Sequence, residues 1–199
     1  MNENAPDRRD AVHQQALDRD APSAFPGDRH PAWIRACRRL AGAGYGDAVT
    51  DAYIRSSPDI ARATTPQAAI DLAGTVSSVA IRSGRTAAAL LSETALDAAG
   101  RLGEGGFVRW VALMEYANTT APESLTALLK AMPKLLAEID LDGLEAWLRI
   151  GVRSAEGDAK RRLRFFTLED PSAIRWLQRT SGQAGFADME ARLKPFLTA

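Results

Sequence analysis

The chain has 199 residues and one cysteine, and its 25 basic residues balance its 25 acidic residues, so the formal net charge is zero. Hydrophobic residues make up 46% of the sequence, which is typical of a globular domain with a packed core. A neutral chain lacks the strongly basic surface of dedicated nucleic-acid binders, which argues against nucleic acid as its main partner. Neutrality also puts little electrostatic resistance in the way of association with a protein partner or of homo-oligomer formation.

The cysteine content and the hydropathy of the chain bear on its compartment. A lone cysteine, Cys37, cannot form an intrachain disulfide, and a reducing compartment is the default for such a chain. No run of 18 apolar residues is present and the N-terminus is charged, so neither membrane insertion nor a signal peptide is predicted. Cys37 lies one helical turn after Trp33 and is interpreted as a small core side chain. The sequence therefore predicts a cytoplasmic protein.

Residues 1–29 are rich in charged side chains, contain three prolines and have few large apolar residues. Such a segment buries too little surface to offset the entropy lost on ordering. We predict a disordered leader over residues 1–29 and a single α-helical repeat domain over residues 30–199. The histidines, His13 and His30, lie in or beside this leader and are too far apart in a flexible segment to make a metal site.

A repeating pattern of helix pairs runs through the rest of the chain. Large apolar anchors recur at Trp33, Leu72, Trp110 and Trp147, with separations of 39, 38 and 37 residues. Each anchor lies on an apolar stripe of helical spacing, and a turn of small or polar residues leads to a second helix. A period of this size is typical of α-helical repeat arrays. We predict an all-α fold, a HEAT-like array of about four helix-pair units with a period of 37–39 residues.

Prolines follow three of the anchors at 23 to 25 residues, namely Pro58, Pro133 and Pro171. Because proline lacks an amide hydrogen and disfavours helical geometry in the preceding residue, each is expected to end the second helix of its unit and to begin a short third one. The three glycines within residues 103–106 are expected to end the second unit and to form the loosest joint in the array.

No constellation of residues in the sequence has the spacing of a known catalytic site. There is no glycine-rich phosphate loop, no cysteine pair, no His-Glu-x-x-His and no Gly-x-Ser-x-Gly. The acidic pairs Asp140/Asp142 and Glu169-Asp170 flank predicted helix ends, where carboxylates cap exposed amides. We predict that the chain is not an enzyme and has no catalytic residues, no cofactor and no metal site.

The fourth unit holds the one local excess of charge, with eight Arg or Lys and five Asp or Glu within residues 143–180. A solvated helix face is the simplest interpretation, and a docking patch for an acidic protein surface or a nucleic-acid contact are the alternatives. The tryptophans in the repeat register are assigned to the core, whereas one outside that register is a candidate for an interface. The candidate partner-binding residues are Lys160, Arg161, Arg162, Arg164 and Trp176.

Two of the units, together with the end of the chain, resemble a known family. The matching pieces are Trp33…Asp47-Ala48-Val49…Tyr53…Ser57-Pro58, Trp147-Leu148-x-Ile150-Gly151…Phe165-Phe166…Asp170-Pro171 and Leu193-Lys194-Pro195-Phe196-Leu197. Over roughly residues 31–199 the chain is similar to the helical N-terminal region of the NorD and CbbO accessory proteins. Members of that family carry a C-terminal von Willebrand factor A domain.

The resemblance implies a non-enzymatic adaptor. Members of the family pair with a MoxR-type AAA+ ATPase and activate or assemble a target enzyme, nitric oxide reductase in one branch and rubisco in the other. The helical array would dock the ATPase or the target enzyme. The A domain with its metal site is absent from these 199 residues, so the resemblance assigns metal-dependent target contact to none of them. We expect the chain to be a fragment of a longer A-domain protein, or one that ends where a further domain is usual.

Two functions of other classes remain open. A HEAT-like nucleic-acid-binding or DNA-repair protein, such as an alkyl-base glycosylase, would need a concave basic stripe. A small-molecule-binding helical domain would need a deep pocket lined by tryptophan and a few polar groups.

Overall fold

The computed structural model describes residues 21–154 and 158–169, and within these ranges every regular element is helical. The prediction of an all-α fold is confirmed for this part of the chain. None of its helices combines the length and the apolar character needed to cross a membrane. The elements are α1 (Ala21–Ala24), α2 (Arg29–Gly42), α3 (Asp47–Ala63), α4 (Pro66–Arg82), α5 (Arg85–Thr120), a 3-10 turn (Pro122–Ser124), α6 (Leu125–Glu138), α7 (Leu141–Ser154) and α8 (Ala159–Phe166).

The four periodic anchors form the centre of one hydrophobic core. Trp33, Leu72, Trp110 and Trp147 are all fully buried. Consecutive helices pack on one another, α2 on α3, α4 on α5, α5 on α6 and α7 on α8, and α3 also packs extensively on α5. The period of the sequence therefore corresponds to buried positions where helices meet. Trp33, Trp110 and Trp147 are core residues, as predicted.

The long helix α5 is divided by a break in its backbone. Gly103 has φ 64° and ψ −173°, whereas the residues on either side are helical. This conformation is accessible essentially only to glycine. The break separates a first arm, residues 85–102, from a second arm, residues 104–120. The predicted joint between the second and third units lies at this glycine.

Two of the three repeat prolines lie inside helices rather than at their ends. Pro58 is within α3 and Pro133 is within α6, so the prediction that these prolines end helices is wrong. A proline removes one helical hydrogen bond, but the turns that follow bury Ile60 and Leu135 in the core. Because most helix stability in a protein comes from tertiary packing, this burial offsets the lost bond. Pro171 lies outside the described residues.

The serine before the proline of α3 has a specific partner. Nε1 of Trp33 donates a hydrogen bond to Oγ of Ser57 at 2.8 Å, and both residues are fully buried. In the third unit Met132 takes the place of this serine, and Nε1 of Trp110 has no hydrogen-bond partner in the described part of the chain. The serine of the first unit therefore joins α2 to α3 by a buried polar contact that the third unit lacks.

We expect Ser57→Ala to lower the free energy of unfolding by about 1–2 kcal/mol, because it leaves the buried indole N–H of Trp33 without an acceptor. Urea unfolding followed by tryptophan fluorescence measures this change. The matched control is Ser56→Ala, since Oγ of Ser56 donates only to Ala52 and Tyr53 carbonyls of its own helix. That control should cost less than about 0.5 kcal/mol, as it leaves no buried donor unpaired. Equal losses in the two variants would contradict the assigned role of Ser57.

The packed region begins before residue 30. Phe25 is fully buried, and its ring stacks on Trp33 with the ring centroids 5.0 Å apart. α1 also packs against α3. Within the predicted leader, a short segment around Phe25 thus packs on the first anchor through an aromatic contact. Residues 1–20 of the predicted leader lie outside the described residues.

Candidate docking surfaces

The predicted basic run forms α8, and two local features position it. The side chain of Asp158 accepts a hydrogen bond from the backbone N–H of Arg161 at 3.0 Å and so caps the helix. Phe165 and Phe166 are buried against α7, where Gly151 leaves room for both rings. One face of α8 is thus anchored in the core, and the opposite face is left to solvent.

Three of the predicted partner-binding residues point to solvent from α8. Lys160, Arg161 and Arg164 are exposed, and none of them forms a salt bridge with a carboxylate among the described residues. Trp176, the fourth-unit tryptophan predicted to contact a partner, lies outside residues 21–154 and 158–169.

Arg162 differs from its neighbours because it already has a carboxylate partner. Its Nη1 lies 2.5 Å from Oε1 of Glu123, and its side chain is only 14% exposed. Glu123 belongs to the 3-10 turn before α6, so this ion pair joins α8 to the preceding unit. Arg162 therefore positions α8, and it is not available to a partner unless that contact breaks.

A groove of about 630 Å³ runs between α6 and α8. Leu163, which is 44% exposed, lies on its α8 side, and Ala127 and Ala131 lie on its α6 side. Lys130 and Lys134 of α6 also line it, and neither forms a salt bridge with a described residue. The groove therefore combines alanine and leucine side chains with two lysines, and Glu123, which pairs with Arg162, also lines it. The two lysines lie one turn apart on the polar side of α6. This spacing can be seen in the sequence, but it does not form a run of consecutive basic residues.

The exposed cations of α8 flank the apolar side of this groove. Lys160 precedes Leu163 by three residues and Thr167 follows it by four, so the three share one helical face. Arg164 is next to Leu163 in sequence. The structure thus places Lys160 and Arg164 close to Leu163 on α8, and Leu163 lines the groove together with two lysines of α6.

An ion-pair network joins α5 to α7. Nη2 of Arg109 lies 2.6 Å from Oδ1 of Asp142 and 2.8 Å from Oε2 of Glu145, and Nη2 of Arg149 lies 2.8 Å from Oε1 of Glu145. The hydrogen bond from Arg109, followed by that from Arg149, lowers the pKa of Glu145. The hydrogen bonds to Glu145 and then to Asp142 raise the pKa of Arg109. These charges pair with one another, which gives the network a structural role.

We expect Glu145→Gln to lower the free energy of unfolding by about 1 kcal/mol at neutral pH, because it removes the shared partner of two arginines. The folded pKa of Glu145 is below its ordinary value of 4.5, so its contribution is present above that pH and is lost as the pH falls through the folded pKa. Urea unfolding of both proteins at neutral and acidic pH should show the difference shrinking on acidification.

The control for Glu145 is Asp59→Asn, in the exposed pair between Asp59 and Arg62 one turn apart on α3. An exposed pair of this kind contributes little, so a change below about 0.5 kcal/mol is expected. A Glu145→Gln deficit that stayed constant or grew on acidification would contradict the lowered pKa.

The remaining reactive and polar groups have structural explanations. Cys37 is buried, and burial raises the pKa of its thiol to about 12, so it stays protonated in the core. Ser78 donates to Glu115 at 2.7 Å and accepts from Asn118 at 3.0 Å, which joins α4 to α5. Within the described residues no three His, Cys, Asp or Glu side chains lie together as metal ligands.

Comparisons of the chain with family models, with curated proteins and with solved structures found no match. The resemblance to the NorD and CbbO accessory proteins is therefore carried by the residues of this sequence alone. The buried anchors and the cationic groove are the structural observations that bear on function.

Proposed function

We propose that the chain is a non-enzymatic adaptor, a HEAT-like helical array that docks an acidic protein segment on α8 and the adjoining groove of α6. The observation that carries this proposal is the combination, at one groove, of an exposed leucine with cations that have no carboxylate partner among the described residues. Lys160 and Arg164 are exposed close to Leu163 along α8, and Lys130 and Lys134 of α6 line the groove together with Leu163. Protein interfaces combine an apolar centre with a polar rim in this way.

The charge and the shape of the groove both favour an amphipathic partner helix. Exposed cations alone are explained by solvation, but a groove of about 630 Å³ with Leu163 44% exposed also offers apolar surface to cover. A helix that places its apolar stripe in such a groove and its carboxylates beside the lysines and arginines gains from both contacts. Opposite charges also steer the encounter and make its rate depend on salt.

The identity of the partner is proposed from the family resemblance. That resemblance implies a MoxR-type AAA+ ATPase, or the target enzyme of nitric oxide reductase or rubisco type that the ATPase activates. In either case the docked element would be an acidic helix or helix end, because the α8 surface is cationic. The chain itself would supply position rather than chemistry.

Binding of the chain to a purified MoxR-type ATPase tests this proposal by bio-layer interferometry. We expect the double variant K160Q/R164Q to weaken binding at least about tenfold, because it removes two charged contacts from the interface. The matched control R55Q/R82Q removes the same charge from exposed positions on α3 and α4 and should leave the affinity within about twofold. Leu163→Ala should also weaken binding, whereas Ile81→Ala, at another exposed apolar residue, should not.

Two outcomes would overturn the proposal. The first is the absence of binding to the ATPase, and to the two target enzymes, at micromolar concentrations. The second is equal weakening by K160Q/R164Q and by its control, which would mean that total charge rather than the α8 surface governs association.

A further inference from the structure

A second cationic groove lies at the other end of the described chain. Arg35, Arg38 and Arg39 of α2, with Ala32 and with Ile70 of α4, line a groove of about 550 Å³. All three arginines are exposed, and none forms a salt bridge or a hydrogen bond with any residue in 21–154 or 158–169. Three guanidinium groups thus share one wall of a groove without a carboxylate among them.

Most arginines elsewhere in the described part of the chain do have acceptors. Arg101 lies 2.9 Å from Asp97, Arg109 contacts two carboxylates, and Arg85 donates to the carbonyl of Gly44. Pairing is therefore common on this surface.

The cluster on α2 carries an electrostatic cost. Arg35 is three residues before Arg38 and four before Arg39, and like charges at these spacings destabilise a helix. The acidic side chain beside Ile70 is Asp71, but its Oδ1 accepts a hydrogen bond from Nε2 of Gln67 at 2.6 Å. No carboxylate of the described residues therefore neutralises this cluster.

The backing of α2 makes this wall rigid. Its opposite face buries Trp33, Ala36, Cys37 and Leu40 in the core. A rigid helix presents its guanidinium groups at defined spacing, which lowers the entropy lost when an anionic partner pairs with them. Guanidinium groups bind carboxylates through two parallel hydrogen bonds, which adds geometric selectivity.

We propose that the α2/α4 groove binds an acidic peptide segment of a partner protein in an extended conformation. One side of this peptide carries two carboxylates and, next to them, a small aliphatic residue. Along α2, Ala32 precedes Arg35 by about 4.5 Å, and Arg35 precedes Arg39 by about 6 Å. In an extended peptide, alternate side chains face the same way and are about 6.6 Å apart. An aliphatic residue followed at two-residue steps by two acidic residues matches that order, with the aliphatic side chain on Ala32 and Ile70.

This inference does not rest on the α8 surface, since the two grooves share no residue and no helix. If both grooves bind protein segments, the chain has two docking sites on one rigid core. Simultaneous occupation would then raise the affinity for a bivalent partner by the effective-concentration effect.

Fluorescence anisotropy with a labelled peptide, Ser-Val-Thr-Glu-Thr-Glu-Thr, tests this inference on the full chain. We expect saturable binding that weakens with added salt, and at least a tenfold loss with R35Q/R38Q/R39Q. The peptide with glutamine in place of both glutamates should also bind at least tenfold more weakly. The matched control R55Q/R82Q/R101Q removes the same charge from exposed positions on α3, α4 and α5, outside both grooves, and should bind the acidic peptide as the wild type does.

The variants should fold, because the three arginines are exposed and removing like charges relieves repulsion; circular dichroism and an unchanged or raised unfolding midpoint check this. Methyl shifts of Ile70 on adding peptide would place it in the groove. Methyl shifts at Leu163 instead, the absence of saturable binding at millimolar peptide, or equal losses in the two triple variants would each overturn the inference. If the peptide does not bind in the α2/α4 groove but the ATPase binds in a way that depends on α8, this inference fails and the proposed function stands.

Discussion

Replacing Gly151 with alanine is expected to lower the free energy of unfolding by about 3 kcal/mol. A Cβ atom at this position would lie 2.5 Å from Cε1 and 2.6 Å from Cζ of Phe166, and 2.8 Å from Cδ1 of Phe165. Carbon atoms in contact are normally about 3.5–4 Å apart, so the rings or the helices must move. Both rings are buried, and Phe165 also packs on Trp147 with the ring centroids 4.3 Å apart. Neither ring can therefore turn away without opening the core.

The measurement is urea or thermal unfolding of Gly151→Ala beside Gly74→Ala. Gly74 lies within α4, and a Cβ atom there would meet no other atom within 4 Å. Because alanine favours a helix interior over glycine, this control should leave stability unchanged or raise it by up to about 1 kcal/mol. A Gly151→Ala protein as stable as the wild type would contradict the close packing of α7 on α8. Since α8 carries the proposed docking cations, the same substitution should also weaken partner binding.

Replacing Gly103 with alanine is expected to cost about 2–3 kcal/mol, for a different reason. A Cβ atom at this position would meet nothing within 4 Å, so no collision with another side chain contributes. The cost is conformational, because φ 64° with ψ −173° is a region that residues with a Cβ atom avoid. If alanine instead straightened α5, this helix could no longer pack as it does on α3, α4 and α6, and that packing energy would be lost.

Gly100→Ala is the matched control for Gly103→Ala. It lies three residues earlier in α5, its Cβ atom would also meet nothing within 4 Å, and its φ is not in the left-handed region. We expect this control to be neutral or slightly stabilising, by up to about 1 kcal/mol. Denaturant unfolding of the two variants under identical conditions measures the difference. If the two alanines had the same effect, the backbone break would not be required for the fold.

The sequence by itself determined the helical class and the buried anchors. Apolar side chains at helical spacing form one face of a helix, and that face is buried where the helix packs on another. The burial of Trp33, Trp110 and Trp147 therefore follows from the local pattern. The glycine joint was predictable for the same reason, since a cluster of glycines in a helical pattern marks a break. The exposure of Lys160 and Arg164 likewise follows from charge on the polar face of α8.

Contacts between distant segments were decided only by the tertiary structure. Phe25 joins the core, and Pro58 stays helical, because each packs on a helix that the local sequence does not reveal. Arg162 pairs with Glu123, which lies 39 residues away, so the basic run is split into one structural residue and three exposed ones. That the α2 arginines have no carboxylate partner among the described residues is also tertiary in origin. A charge finds a partner only if folding brings an opposite charge within reach, and the placement of one helix on another decides that.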